Sequence, residues 1–236
     1  MPGRLEGRAA LVTGASRGIG RAIARALARE GASVGLAARS ADDLRALAGE
    51  IGPRALEIPC DVRRNEDAAA AVRAAVARFG ALHVLVNNAG IACSGRLEEV
   101  TLEAWDEAFA VNLRGVFLMT RAAVPELRRA GGGHVVNLSS VAGLVANPGL
   151  SAYNATKFGL MGFTEALMLE LRHDRIHVSA ICPGSTDTHF GGRAPSGREG
   201  ALTAEDVAES VLHVLTAPPG ALISQVHLRP LIPPRR

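Results

Sequence analysis

Short apolar runs alternate with alanine-rich helical segments along this chain, and that alternation limits the fold more than any other feature. AALVT (9–13), SVGLA (33–37), ALEIP (55–59), HVLVN (83–87), HVVNL (134–138) and HVSAI (177–181) read as fully buried strands. They lack the apolar–polar alternation of a half-exposed strand, so helices must cover both faces of their sheet. The intervening segments read as helices near 18–30, 41–50, 65–79, 102–130, 151–173 and 203–217, and LISQVHL (222–228) supplies a seventh strand. Such repetition builds a doubly wound parallel α/β sheet of about seven strands flanked by helices on both faces. No linker, composition break or internal repeat divides residues 1–236, which read as one domain.

Composition narrows the function classes. Hydrophobic residues make up 48% and charged residues 21%, the balance of a globular chain. The net charge is only +3, and arginines alternate with carboxylates instead of forming a basic run, which argues against nucleic acid. Cys60, Cys93 and Cys182 are too few and too scattered for a metal cluster or a disulfide framework. No apolar run is long enough to span a membrane, and no apolar leader precedes the first strand, so the expectation is a cytoplasmic protein.

Two helical segments carry apolar residues on more than one side, 105–124 and 158–171. A helix lying on a sheet needs one apolar stripe, so a second stripe implies a second partner. These segments are expected to join subunits into a homodimer or homotetramer.

LVTGASRGIGRAIA places Gly14, Gly18 and Gly20 between the first strand and the first helix. Glycines there allow a tight turn and close backbone approach, and the helix start offers N–H groups to a pyrophosphate. The spacing is G-x-x-x-G-x-G. At the end of the second strand, where an acid would meet a ribose 2′-hydroxyl, LAARS presents Arg39, with Arg17 nearby in the glycine segment. Two guanidiniums and no carboxylate favour a 2′-phosphorylated cofactor, NADP(H) over NAD(H).

YNATK (153–157) holds the only tyrosine and the only lysine; every other member of the 26 Lys and Arg is arginine. At i and i+4 on a helix the two side chains share a face. A phenol is a poor base near neutral pH, and a close cation lowers its pKa. The compact ammonium can do this while also donating to a ribose hydroxyl.

With these motifs in order, TGASRGIG (13–20), CDV (60–62), NNAG (87–90), VNLRG (111–115), NLSS (137–140), YNATK (153–157) and PGSTDT (183–188), the chain resembles the classical short-chain dehydrogenase/reductase family over essentially its whole length, in particular its NADP-dependent 3-oxoacyl-carrier-protein reductases. The resemblance implies a Rossmann-like fold and hydride transfer between a nicotinamide and a carbonyl or alcohol carbon. It implies a tetrad of Asn112, Ser140, Tyr153 and Lys157, Ser140 being preferred to Ser139 because the family's serine typically lies 13 residues before its tyrosine. Ser140 would hold the substrate oxygen, Tyr153 exchange its proton, Lys157 bond the nicotinamide ribose and depress the tyrosine pKa, and Asn112 hold a relay water. Cofactor contacts would fall on Gly14, Ser16, Arg17, Gly18, Ile19 and Gly20, on Arg39, on Asp61 and Val62 at the adenine, and on Asn88, Ala89 and Gly90. Tyr153, Lys157, Pro183, Gly184, Thr186 and Thr188 would meet the nicotinamide end.

Three features depart from the family's pattern. Thr186 stands where an aliphatic residue is common, residues 189–206 form a short glycine-rich loop in place of a long substrate loop, and the C-terminal VHLRPLIPPRR lacks a glycine-rich ending. His189 and Asp187 lie near enough to the expected site to meet substrate, though ordinary loop roles suit them better. The competing reading is a non-enzymatic nucleotide-binding scaffold or redox sensor, and the complete tetrad argues against it. A sugar-nucleotide epimerase would need a substrate domain for which the chain has no room.

Overall fold

The computed structural model describes residues 3–192, 196–197, 200–218 and 220–232. The strands are β1 (Ala9–Thr13), β2 (Ser33–Ala38), β3 (Ala55–Pro59), β4 (Val84–Asn87), β5 (Gly133–Leu138), β6 (Ile176–Pro183) and β7 (Gln225–Leu228). They form one sheet in the order β3-β2-β1-β4-β5-β6-β7, with every pair parallel. Helices α1 (Gly18–Arg29), α2 (Ala41–Ile51), α3 (Asn65–Phe79), α4 (Leu102–Phe109), α5 (Gly115–Arg129), α6 (Ser151–Leu171) and α7 (Ala204–Leu215) flank it.

The apolar runs have a direct structural cause. Val12, Val136 and Leu138 point into a core with Ile23, Leu27, Leu44 and Val211 of α1, α2 and α7. Leu11 and Val135 point the other way, into a core with Val72, Met119 and Leu127 of α3 and α5. Both faces of the central strands are covered, so successive residues must both be apolar. The expectation of full burial fails at β3, and both edges of the sheet are partly open. β3 exposes Glu57 and Pro59, and β7 alternates exposed and half-buried residues. β7 is also shorter than 222–228, its pairing with β6 running from Ala180 N donating to Ser224 O to Gly184 N donating to Leu228 O.

The helix expected over 102–130 is broken. Residues Ala110–Arg114 form a π turn between α4 and α5, closed by Gly115 N donating to Ala110 O. A Cβ at Gly115 would lie 2.9 Å from Val62 Cγ2, so the turn is set against the end of β3. A buried polar chain ties helices to sheet: Asn87 Nδ2 donates to Asn137 Oδ1 (2.9 Å) and Thr120 Oγ1 (3.0 Å), and Asn137 Nδ2 donates to Thr164 Oγ1 (2.9 Å). Strand order switches direction between β1 and β4, and a crevice opens beyond their C-terminal ends, where such sheets bind ligands.

Candidate active site and cofactor cleft

The crevice is a cleft of about 1230 Å³, above the roughly 300–1,000 Å³ usual for one small ligand, so it has room for a dinucleotide and a substrate together. One half lies over β1, β2 and β3. Gly14, Ser16, Arg17, Gly18 and Ile19 line it from the β1–α1 turn, Arg39 from the end of β2, and Asp61 and Val62 from the end of β3. Gly14 and Gly18 have φ of +64° and +54°, which side chains other than glycine adopt at a cost. The first N–H groups of α1 have no helical acceptor and lie beside the Arg17 and Arg39 side chains, both exposed. This donor set fits an anionic dinucleotide.

Gly20 is not on the wall. A Cβ there would lie 2.2 Å from Gly14 O and 2.4 Å from Asn88 Nδ2, so its role is to let the turn close. Asn88 Nδ2 donates to Thr13 O (2.9 Å), and Thr13 Oγ1 accepts from Asn88 N and Ala89 N, which fixes the β4 end against the glycine turn. Asn88, Ala89 and Gly90 line the cleft midway.

In the other half, Ser140, Tyr153 and Lys157 line the cleft with Pro183, Gly184, Thr186 and Thr188. Ser140 leaves the end of β5, and its Oγ accepts from Ala142 N at 3.1 Å. Tyr153 and Lys157 share the buried side of α6. Lys157 Nζ donates to Leu138 O at 2.8 Å and lies 5.7 Å from the centre of the Tyr153 ring. Burial pushes the phenol up to about 12, opposed by a hydrogen bond with Ser140. Burial sets the direction of the phenol's shift, while the Lys157 ammonium is bonded to the Leu138 carbonyl. Burial in turn holds Lys157 down at about 8.

Asn112 is also absent from the wall. It is fully buried in the π turn, with Oδ1 accepting from Ile91 N (2.8 Å) and Nδ2 donating to Ile91 O (2.9 Å) and Thr156 Oγ1 (3.2 Å). Its side-chain hydrogens are committed to protein, so it braces the β4 loop against α6.

The short chain dehydrogenase family model matches residues 8–199. The chain belongs to that family. It is 42% identical over 188 residues to a 3-alpha-(or 20-beta)-hydroxysteroid dehydrogenase of Mycobacterium tuberculosis, covering 80% of this chain and 72% of that protein. An alcohol dehydrogenase from the archaeon Thermococcus sibiricus, solved with 5-hydroxy-NADP, superposes with a TM-score of 0.89 at 33% identity, covering 95% and 97% of the two chains. A 3-ketoacyl-(acyl-carrier-protein) reductase from Brucella melitensis, solved with NADH, superposes with a TM-score of 0.90 at 33% identity over 96% and 98%. This short-chain dehydrogenase is thus an oxidoreductase acting on CH–OH groups, with a nicotinamide dinucleotide as its cofactor.

Sequence reading missed several wall residues of the dehydrogenase. Asp43, in the first turn of α2, brings a carboxylate to the half that also holds Arg17 and Arg39, contrary to the expectation that no acid lies there. Asp61 is ion-paired with Arg63, which holds its carboxyl below the usual range. Phe190 sets its ring 5.7 Å from that of Tyr153, tilted by 56°. His189 lines the cleft, whereas Asp187 does not, accepting instead from the backbone of Ser196 and Gly197. Of the 189–206 loop, residues 193–195 and 198–199 lie outside the described residues. Its neck is closed, with Asp187 N donating to Leu202 O and Leu202 N to Ser185 O. Among the described residues, no helix is long and apolar enough to cross a membrane.

Proposed function

We propose that the protein is an NADPH-dependent oxidoreductase interconverting a ketone or aldehyde and its alcohol, with Tyr153 as the acid and base. The observation that carries this reading is the convergence of Ser140, Tyr153 and Lys157 in one half of a cleft whose other half holds the glycine turn and two guanidiniums. When bound, the nicotinamide supplies or accepts the hydride. Ser140 Oγ holds the substrate oxygen, and the Tyr153 hydroxyl gives it a proton in reduction and takes one in oxidation. Burial keeps the phenol protonated near neutral pH, the state that reduction needs. Lys157 bonds the nicotinamide ribose, and Asn112, braced by Ile91, is the positioning residue behind it and steadies the proton path to solvent.

Arg17 and Arg39 hold the 2′-phosphate. The turn from Gly14 to Gly20 holds the pyrophosphate, with Ser16 and Ile19 on its wall. Asp61 and Val62 meet the adenine, Asn88 to Gly90 its ribose, and Pro183 to Thr188 the nicotinamide. Asp43 opposes a 2′-phosphate, which moderates the preference without reversing it. Phe117, Phe158 and Leu169 turn outward on α5 and α6, which supports a homodimer or homotetramer through these helices. The three free, buried cysteines suit a reducing, cytoplasmic compartment.

Tyr153→Phe tests the chemistry: NADPH binding, read by its fluorescence, is retained while ketone reduction falls by about 10²–10⁴-fold. Unchanged turnover would sink the acid/base role. Arg39→Asp tests the cofactor assignment, with NADPH affinity expected to fall at least about tenfold. A wild-type preference for NADH would count against it.

A further inference from the structure

Asn154 follows Tyr153 in α6, but its side chain leaves the cleft wall and is buried, 6% exposed. Its amide meets three backbone groups of the loop between β5 and α6. Nδ2 donates to Ala142 O at 2.5 Å and to Val145 O at 3.1 Å, while Oδ1 accepts from Asn147 N at 3.2 Å. Two carbonyls at one end and an N–H at the other fix the orientation of the amide, whose hydrogens are both committed there. Asn154 N also donates to Leu150 O at 2.7 Å. One residue thus holds the loop at Ala142, Val145, Asn147 and Leu150.

Ala142 is the point at which this bracing reaches the chemistry. Its N–H donates to Ser140 Oγ at 3.1 Å, within the helical turn Val141–Gly143 that follows β5. Gly143 N donates to Ser140 O at 2.9 Å. A Cβ at Gly143 would lie 2.7 Å from Ser139 Oγ and 2.8 Å from Lys157 O, so the turn is pressed onto α6 where a side chain has no room. With Ala142 N on one lone pair of Ser140 Oγ, the hydroxyl hydrogen points elsewhere, and Pro183 O, at 3.5 Å, holds it only weakly. That hydrogen is therefore available to a substrate oxygen, and Ser140 is also hydrogen-bonded with Tyr153.

We propose that Asn154 is a positioning residue for the reaction: through Ala142 it sets the place and direction of the Ser140 hydroxyl beside Tyr153. The assignment rests on the Ser140 and Tyr153 reading above and adds the residue that aims the hydroxyl. Without the amide, Ala142 O and Val145 O lose their donors, and the turn shifts to recover them from water. Ser140 Oγ shifts with it. A misplacement of about 1 Å at a group that holds the reacting oxygen is enough to lower a rate about 100-fold. None of the described contacts of Asn154 reaches the glycine turn, so the hold on the dinucleotide is unaffected.

Asn154→Ala is compared with Ser140→Ala and with the double variant in the reduction of ethyl acetoacetate, cyclohexanone and benzaldehyde by NADPH. Asn154→Ala is expected to lower kcat by about 10–100-fold, with NADPH affinity, read by fluorescence, unchanged. In the Ser140→Ala background the same substitution should change kcat by less than about twofold, since the group it positions is gone. The single tyrosine of the chain gives a readout that needs no turnover: labelled with carbon-13 at Cζ, it shows one resonance. That resonance should move in the same direction in Asn154→Ala and Ser140→Ala, and no further in the double variant. Asn154→Ser, which keeps a hydroxyl in the same helical turn, is the second variant should Asn154→Ala not fold. A full Asn154→Ala loss on top of Ser140→Ala overturns the assignment alone, as does a tyrosine resonance unmoved by Asn154→Ala or an NADPH affinity that falls as far as kcat. Unchanged kcat and resonance in Ser140→Ala overturn the Ser140 reading and this assignment with it.

Discussion

At pH 7 the Lys157 ammonium is a buried charge with one hydrogen bond, to Leu138 O, and no carboxylate partner among its described contacts. Burial lowers its pKa from 10.5 to about 8. A base whose folded pKa is depressed costs stability wherever both states are charged, below about pH 8, and the cost is relieved as pH rises from 8 to 10.5. The shift corresponds to roughly 3 kcal/mol. Lys157→Met should therefore raise the thermal midpoint by about 5 °C at pH 7, after allowing for the unpaired Leu138 carbonyl, while abolishing turnover. A lowered midpoint in differential scanning calorimetry would show that the lysine is structural. Lys157→Arg should lose most activity too, since a planar guanidinium does not fit a site shaped around an ammonium bonded to one carbonyl. The Tyr153–Lys157 pair was legible because each residue type occurs once and i, i+4 spacing shares a face. Asp43 and Phe190 were not, because nothing in ADDLRAL or THFGG signals which cleft wall their side chains reach.

Two glycines in helices separate turn geometry from helix propensity at the level of the element. A Cβ at Gly20 would collide with Gly14 O and Asn88 Nδ2, backbone and anchored side chain that cannot both move, whereas a Cβ at Gly49 in α2 meets nothing within 4 Å. Gly20→Ala is expected to cost about 1–3 kcal/mol and to weaken NADPH binding together. Gly49→Ala should gain about 0.5–1 kcal/mol with binding unchanged. Urea denaturation and NADPH titration of both variants decide the matter; equal responses would refute the packing account of Gly20. The central strands were legible as elements because burial on two faces leaves unbroken apolar runs. The π turn at Ala110–Arg114 was not, since its cause is the fit of Gly115 against Val62, a contact between residues far apart in sequence. Edge exposure of β3 and β7 was hidden for a similar reason: strand order is not written in any one strand.

The sheet as a whole places its chemistry at one end and a set of neutral histidines at the other. At the N-terminal ends of the strands, His83 Nδ1 accepts from Ala9 N at 3.0 Å, so it carries no proton there. His134 Nε2 lies 2.8 Å from Ser179 Oγ, whose own hydrogen goes to Ile223 O, so His134 must donate from Nε2. Burial, reinforced by the His177 ring 5.4 Å away, holds His134 down at about 3; burial and Arg8 lower His83. Both are bases whose folded pKa falls below the unfolded value of about 6.5. The unfolded chain therefore binds more protons below that value, and stability is full above it and lost as pH falls toward 3. Between pH 6.5 and 5, His134 alone should account for about 2 kcal/mol. This window lies above the range in which carboxylates such as Glu30, held at about 2 by Arg4, begin to titrate. His134→Gln keeps a donor for Ser179 Oγ without a titrating ring, so it should remove most of the stability lost between pH 7 and pH 5 while leaving the cleft's Tyr153, Ser140 and Lys157 in place. Urea midpoints for both proteins at the two pH values provide the measurement. An undiminished acid loss in His134→Gln would move the cause away from this end of the sheet.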